Sequence, residues 1–163
     1  MKRDKLTAER LRQVLSYDPL TGLFERIIKH HLSFTGRFAG SFDQKGYLHV
    51  RVDGIQYRAH RLAWLYCYGD FPKGEIDHID GDKTNNTIGN LRDVTSLTNS
   101  ENRKSAHRNN RAGTLGVGSF GGKWRARIMV KGRAIQIGTF ESPEAARTAY
   151  VQAKRRLHAG CTL

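Results

Sequence analysis

Apolar positions in the first part of the chain change from a helical to an alternating pattern. Residues 6–16 carry apolar side chains three or four positions apart, and Thr7 stands where an N-cap is expected, so a helix is predicted there. The apolar run at 60–68 predicts a second, buried helix. Strand-like segments lie between them at 23–28, 46–52 and 56–59, with a hairpin turn predicted at Asp53-Gly54.

The last third of the chain shows strict alternation followed by helical spacing. Residues 123–130 place apolar and basic side chains on opposite faces of a predicted strand. Further strands are predicted at 115–120 and 133–138. The sequence Ser142-Pro143-Glu144 is a typical helix start, with an N-cap, a proline and an acid in the first turn. A three-stranded sheet followed by one helix is therefore expected, and the whole chain is predicted to belong to the α+β class.

The charge of the chain points to an acidic partner. The net charge is +13, and nucleic acid is the commonest polyanion that binds such a protein. The carboxylates gather upstream of residue 109, since only Glu141 and Glu144 follow it. No segment is apolar enough to span a membrane, and no signal peptide is recognised at the charged N-terminus. The expected location is the cytoplasm, or the host cytoplasm if the protein is phage-encoded.

A turn-rich stretch near the middle carries residues suited to phosphodiester hydrolysis. That reaction needs an activated water, which a histidine such as His78 can supply. It also needs charge neutralisation at the phosphate, which a divalent cation on oxygen ligands such as Asp77 can supply. Amide oxygens follow at Asn85, Asn86, Asn90 and Asn99. Turn formation is the expected role of Asp80, Asp82, Asn85 and Asn86.

This stretch resembles the HNH endonuclease family, in particular the phage and intron-encoded homing endonucleases. The resemblance rests on the Asp77-His78 pair, on the run HIDGDKTNN, on Asn90-Leu91 and on Asn99, and it covers residues 59–104. It implies the ββα-metal fold, in which two strands and a helix surround one metal ion. The implied activity is metal-dependent hydrolysis of DNA.

The same resemblance implies roles for individual residues. His78 is the general base, Asp77 and Asn99 are metal ligands, and Asn90 fixes the loop and orients the histidine. Asparagine stands at position 99 where many family members have histidine, and oxygen ligands favour Mg²⁺ over Zn²⁺, with Mn²⁺ as the other usable ion. Asn102 is an alternative ligand to Asn99. His60 and Arg61, in the family-like sequence HRLAW, are candidate DNA contacts, and the alternative for His60 is a structural role at the helix start.

Residues 115–160 resemble the AP2 DNA-binding domain. The matching pieces are Gly116-Val117, the run KWRARI from Lys123, the run IGTF from Ile137 and the run EAARTAY from Glu144. The resemblance implies that the sheet face opposite the helix enters the major groove, where arginine pairs with guanine and glutamine with adenine. The residues expected on that face are Lys123, Arg125, Arg127 and Gln136. Strand one departs from the family pattern, because Leu115, Gly118 and Phe120 stand where arginines are expected.

The sequence thus predicts an HNH nuclease domain at 1–108, with an N-terminal elaboration and a basic linker beginning near residue 100. An AP2-like domain at 109–163 is expected to add affinity and site preference on double-stranded DNA. Two alternatives stay open: a DNA-binding regulator with an inactive nuclease site, and an RNA-acting or structure-specific nuclease. A monomer or a dimer is expected: one metal site per chain fits one cut per monomer, so a double-strand break would need a dimer or two successive cuts.

Overall fold

The computed structural model describes residues 6–27, 38–102, 106, 110, 113–158 and 161. The chain divides into two compact units, Met1–Val94 and Thr95–Leu163. This boundary lies upstream of the predicted one at 108/109, and most of the predicted basic linker falls outside the described residues. In the described part of the chain, no helix has the length and apolar character that a membrane span requires.

The first unit begins with a helix and a two-stranded sheet. Helix α1 (Ala8–Val14) starts at the predicted N-cap, where the Thr7 hydroxyl accepts a hydrogen bond of 3.2 Å from the Arg10 N–H. The helix ends earlier than predicted because Leu15 is already extended, and strand β1 (Leu15–Asp18) begins there. This strand, which was not predicted, pairs in antiparallel orientation with β2 (Leu23–Arg26).

A second sheet and a helix form the centre of this unit. Strands β3 (Ser41–Phe42), β4 (Leu48–Val52) and β5 (Ile55–Arg58) pair in that order. Asp53 and Gly54 both have positive φ, of 47° and 79°, as a two-residue hairpin turn requires, which confirms the predicted hairpin. Helix α2 (Ala59–Tyr68) follows β5 directly, and its buried face is part of the core of this unit. Leu62 and Leu65 of the helix belong to the same buried cluster as Leu11, Leu15, Phe24 and Val50.

The candidate chemistry lies on a third, two-stranded sheet. Strand β6 (Glu75–His78) pairs in antiparallel orientation with β7 (Leu91–Val94). A loop of residues 79–90 joins them and ends in a short 3₁₀ turn, Ile88–Asn90. Ile76 and Leu91 are buried in the core of the unit, so this hairpin is anchored on its inner face.

The second unit contains a short helix, a three-stranded sheet and a long helix. Helix α3 (Ser96–Glu101) comes first, and strands β8 (Val117–Phe120), β9 (Lys123–Val130) and β10 (Arg133–Phe140) form an antiparallel sheet with β9 in the centre. Helix α4 (Pro143–Leu157) packs on this sheet. The predicted order of three strands and one helix is therefore observed. Near the end of α4, Leu157 is 44% exposed, whereas the side chain of Lys154 is buried.

Candidate functional site

Asp77 and His78 leave strand β6 on opposite faces. Successive side chains of a strand alternate, and β6 follows this rule: Ile76 and His78 are buried, whereas Asp77 between them is half-buried. His78 therefore points toward the interior of the first unit, and Asp77 points to the other side of the hairpin. The adjacent acid and base are separated by the geometry of the strand itself.

The carboxylate of Asp77 is paired across the hairpin with Arg92. The two residues are opposite each other in the ladder, and the Arg92 guanidinium donates hydrogen bonds of 2.9 and 2.7 Å to Oδ2 of Asp77. Both side chains are largely shielded from solvent, at 16% exposure for Asp77 and 27% for Arg92. The pair fixes the carboxylate and neutralises part of its charge.

The ring of His78 is held by the loop that follows it. Its Nε2 atom lies 3.3 Å from Oδ1 of Asn86, and both side chains are buried. Asn86 is only 1% exposed, which is unusual for a polar side chain in a loop. The residue that faces Nε2 of His78 is therefore Asn86, which was interpreted from sequence as a turn residue.

Asn90 acts on the backbone of the same loop. Its Oδ1 accepts a hydrogen bond of 3.0 Å from the Asp80 N–H, and its Nδ2 donates to Oδ1 of Asp80 and to the Asn85 carbonyl, both at 2.9 Å. Asp80 also accepts from the Asn85 amide at 2.7 Å. Burial opposes ionisation of Asp80, but hydrogen bonds from the Asp82 N–H and from the Asn85 and Asn90 amides lower its pKa. The loop is thus closed by its own side chains.

An aromatic cluster surrounds the inner side of His78. The His60 ring packs edge-on against His78 with centroids 5.2 Å apart, and Tyr47 packs edge-on against His60 at 5.6 Å. Burial, followed by repulsion from His78 and from Arg58, lowers the pKa of His60 to about 3. His60 is therefore neutral near pH 7, and at 4% exposure it supports the site from inside rather than facing solvent.

Two exposed cations converge on the ring of Tyr47. The Arg58 guanidinium lies 4.7 Å from the ring centroid and the Lys83 ammonium 4.8 Å from it. Lys83 also donates a hydrogen bond of 3.1 Å to the Lys45 carbonyl. Arg61, by contrast, is engaged internally, because its guanidinium donates to the carbonyls of the 72–74 segment and packs over Phe71. Arg58 and Lys83 therefore place exposed positive charge against the aromatic cluster beside His78.

The carboxylate of Asp77 offers oxygen donors of the kind that a hard divalent cation prefers. Within the described part of the chain, no group of three or more His, Cys, Asp or Glu side chains is arranged to hold a metal. Further oxygen donors would come from amide groups, water or substrate, and such a set would fit a hard ion such as Mg²⁺. Asn99 lies in α3 of the second unit, where it is half-buried, and Asn102 is buried at the end of the same helix.

The basic residues of the second unit share one face of its sheet. The burial pattern of β9 leaves Lys123, Arg125 and Arg127 on the side opposite α4, while Ala126 and Ile128 are buried beneath the helix. The register pairs Gln136 of β10 with Arg127, so both lie on the same face. The four residues predicted on this sheet face are therefore brought together.

A groove runs along this open sheet face. It has a volume of about 500 Å³ and is lined by Arg125 and Arg127 together with small or flexible side chains, including Gly118, Met129 and Ala134. The Arg125 guanidinium lies 4.2 Å from the centroid of the exposed Phe120 ring. The aromatic residue that stands in place of an expected arginine in β8 therefore supports the arginine of the next strand.

Residues 57–101 match the family of HNH endonucleases. A predicted HNH homing endonuclease from the SPbeta prophage of Bacillus subtilis (strain 168), YosQ, is 41% identical over 59 residues, which cover 36% of this chain and 34% of that protein. Among solved structures, the HNH homing endonuclease I-HmuI, described as binding and cleaving DNA, matches 55% of this chain and 51% of its own, with 27% identity and a TM-score of 0.43.

These similarities cover part of each protein. The chain spans about a third of the length of the curated relative and about half of the solved structure. The matched segment contains strand β6, the loop, strand β7 and helix α3, and so includes Asp77, His78 and Asn86. The chain therefore contains a segment that is similar to HNH endonucleases.

Proposed function

We propose that this protein is a metal-dependent HNH homing-type DNA endonuclease that hydrolyses phosphodiester bonds. The observation that carries the proposal is the placement of His78, a buried histidine at the end of β6 whose ring is fixed by Asn86, inside the segment that matches the HNH family. Asp77 precedes it on the opposite face of the strand, which gives a base and an acidic ligand on one short hairpin.

His78 takes a proton from the attacking water. A neutral imidazole carries a lone pair that can accept a proton from water, as this task requires. The buried surroundings of the ring, formed by His60 and Tyr47, keep it in one orientation and limit competing contacts with solvent. Positioning of this kind contributes to catalysis because the reacting atoms need close alignment.

Asp77 and Asn99 are the residues proposed to hold the divalent cation, with Mg²⁺ or Mn²⁺ as the ions that fit oxygen ligands. When bound, such an ion neutralises charge on the phosphate and on the leaving oxygen. Arg92 holds Oδ2 of Asp77 through two hydrogen bonds, and therefore determines how the carboxylate is presented.

Arg58 and Lys83 are proposed to contact the phosphates next to the cleavage point. Both are exposed, both carry positive charge, and both lie against Tyr47, whose ring is 6.4 Å from that of His78. His60 and Arg61 were the expected contacts. Because His60 is buried and Arg61 forms internal hydrogen bonds, a structural role that supports the site is favoured for both residues.

The open sheet face of the second unit is proposed to bind double-stranded DNA in the manner of an AP2 domain. Arg125, Arg127, Gln136 and Lys123 lie on one face, and arginine and glutamine are the side chains that pair with guanine and adenine in the major groove. This binding supplies affinity and site preference to the nuclease unit.

Incubation of the full-length protein with supercoiled DNA tests the proposal. Cleavage is expected with Mg²⁺ or Mn²⁺ and none with EDTA, whereas DNA binding persists in EDTA. The control is His78→Ala, which should bind DNA and cleave it at least about 10²-fold more slowly. If no divalent ion supports cleavage of any DNA, including the genome that encodes the protein, the nuclease proposal fails.

A further inference from the structure

Asn86 uses both ends of its side-chain amide inside the protein. Its Nδ2 donates a hydrogen bond of 3.1 Å to the Thr84 carbonyl, and its Oδ1 faces Nε2 of His78 at 3.3 Å. The side chain is 1% exposed, so water does not substitute for either partner at low cost. A buried amide with two fixed partners has one favoured orientation.

The Thr84 carbonyl decides which orientation that is. A carbonyl oxygen only accepts hydrogen bonds, so the amide nitrogen must face it. The reversed amide would set two acceptor oxygens against each other at the same distance. With the nitrogen committed to Thr84, the oxygen of Asn86 is the atom that meets His78, and an oxygen of this kind only accepts. Nε2 of His78 must therefore carry a hydrogen.

The backbone of Asn86 is anchored by the N-terminal hairpin, which consists of strands β1 and β2 and the turn between them. The Tyr17 hydroxyl donates a buried hydrogen bond of 2.8 Å to the Asn86 carbonyl. Burial is the main cause that raises the pKa of Tyr17 well above its ordinary value, so this hydroxyl keeps its proton. At Gly22, with φ of 73°, an added Cβ would lie 2.5 Å from the carbonyl carbon of Asn86. The hairpin thus packs directly against the peptide that carries the amide.

We propose that Asn86 is the positioning residue of His78. Its amide oxygen holds the neutral imidazole as the Nε2–H tautomer, which leaves the lone pair on Nδ1 to accept the proton from water. Within the described part of the chain, no hydrogen bond is formed to Nδ1 of His78. The tautomer assignment rests on the hydrogen bonds alone, and its catalytic meaning rests on the proposed nuclease function.

This assignment gives different roles to two asparagines of the loop. Asn90 closes the loop through Asp80 and the Asn85 carbonyl, and Asn86 orients the ring. The N-terminal hairpin acquires a role as well, since Tyr17 holds the carbonyl of the positioning residue. The N-terminal hairpin, which precedes the HNH-like segment, therefore helps to hold His78 in place through Asn86.

Nitrogen NMR on the full-length, metal-free protein tests the tautomer without any cleavage assay. At about pH 8.5, where an ordinary histidine is neutral, two-bond ¹H–¹⁵N correlations distinguish a protonated ring nitrogen from a bare one. The His78 signals are identified by their absence in His78→Ala. We expect a bare Nδ1 and a protonated Nε2 whose proton exchanges slowly with water. A protonated Nδ1 overturns the proposal.

Three variants test whether Asn86 is the cause of the Nε2–H tautomer of His78. Asn86→Ala should lose the slowly exchanging Nε2–H signal and shift both ring nitrogens toward a tautomer average. Asn86→Asp retains an acceptor toward His78, so the signal should persist, although the protein should be less stable because a second oxygen then faces the Thr84 carbonyl. Tyr17→Phe keeps the amide and removes only its anchor, so exchange of this proton should accelerate severalfold. Melting curves verify that each variant is folded. If Asn86→Ala fails to fold, the Asp and Phe variants decide, and signals identical to wild type in Tyr17→Phe count against the proposal.

Cleavage kinetics then test the consequence. Asn86→Ala should lower kcat by up to about 10²-fold, as expected for a misplaced catalytic group, with KM little changed. In a His78→Ala background the same change should cause no further loss, because there is no ring left to position. An additional loss in that background would assign Asn86 to general loop structure and overturn the proposal. If the tautomer is as expected but no DNA is cut, the nuclease function fails and the positioning role stands.

Discussion

Arg92 holds one oxygen of Asp77 with two hydrogen bonds, across the strand pair that carries the candidate base. A metal ion and a guanidinium compete for the same negative charge. We therefore expect Arg92→Gln to bind Mn²⁺ more tightly than wild type, by about fivefold, which corresponds to roughly 1 kcal/mol. Titration calorimetry in the absence of DNA measures this change.

Arg92→Lys is the matched control, since it keeps the positive charge and should stay near wild-type affinity. The effect should also disappear in the double variant with Asp77→Asn. Weaker metal binding in Arg92→Gln would mean that the guanidinium presents the carboxylate to the ion rather than competing with it.

His78→Ala and Asp77→Ala should differ in kind. Loss of a positioned base costs about 10²–10⁴-fold in rate and leaves metal binding intact. Loss of the anionic ligand should lower metal affinity, with partial recovery of cleavage at high Mn²⁺, and Asn99→Ala should resemble a milder form of it. Cleavage and metal binding are measured on the same preparations. A folded His78→Ala protein that cuts at the wild-type rate would refute the mechanism.

His60 should make the protein sensitive to acid. Its pKa in the folded state, about 3, is below the ordinary value of 6.5, so the unfolded chain takes up a proton that the folded chain refuses. The stability that this neutral histidine allows is complete above about pH 6.5 and is lost as the pH falls toward 3. Urea unfolding should show that wild type loses about 2 kcal/mol more than His60→Phe between about pH 7.5 and pH 5. Equal losses in both proteins would contradict the assignment.

Two glycines offer a matched test of the contact between the hairpin and the loop. Gly22 and Gly46 both have positive φ, of 73° and 81°, so alanine at either position should cost roughly 1–2 kcal/mol of strain. Only at Gly22 would the new Cβ also collide with the backbone of Asn86 and Thr87. Gly22→Ala should therefore cost a further 1–3 kcal/mol or so. Thermal unfolding compares the stabilities of the two variants. Similar losses of stability would contradict the close approach of Gly22 to the backbone of Asn86.

Arg125 should carry more DNA affinity than the aromatic residue beneath it. Arg125→Ala is expected to weaken binding by roughly 1–3 kcal/mol if the guanidinium reads a base. Phe120→Ala removes only the stacking support, worth about 0.5–1 kcal/mol. Fluorescence anisotropy in EDTA, with His78→Ala as the common background, gives both values. Lys131→Ala, at the turn beyond the face, is the control and should change little.

Local sequence rules predicted much of the fold. Thr7 and Ser142 cap helices as expected, Asp53-Gly54 turns a hairpin, and β9 has the predicted bounds. Each of these features depends on residues a few positions apart, so their pattern is visible in the chain. Strand β1 was hidden because the helical spacing before it continues through Leu15.

The contacts of the site were harder to predict, because several similar side chains compete for each role. Asn85 and Asn86 are neighbours of the same type, yet Asn85 caps the turn and Asn86 is buried against His78. The pairing of Arg92 with Asp77 could not be recognised in the sequence either, since it becomes evident only from the register of β6 and β7. Burial and register decide these roles, and both arise from contacts distant in sequence.

The hydrogen bonds of the loop between β6 and β7 also bear on the order of folding. Asn90 reaches Asp80 over a separation of 10 residues, whereas Tyr17 reaches Asn86 over 69. Closing a longer loop costs more chain entropy, at about 0.6 kcal/mol for each doubling of its length. We therefore expect the short-range bonds to form first, so that the loop acquires its shape before the hairpin docks. The final orientation of the base would then be a late step in folding, reached when the two ends of this unit meet.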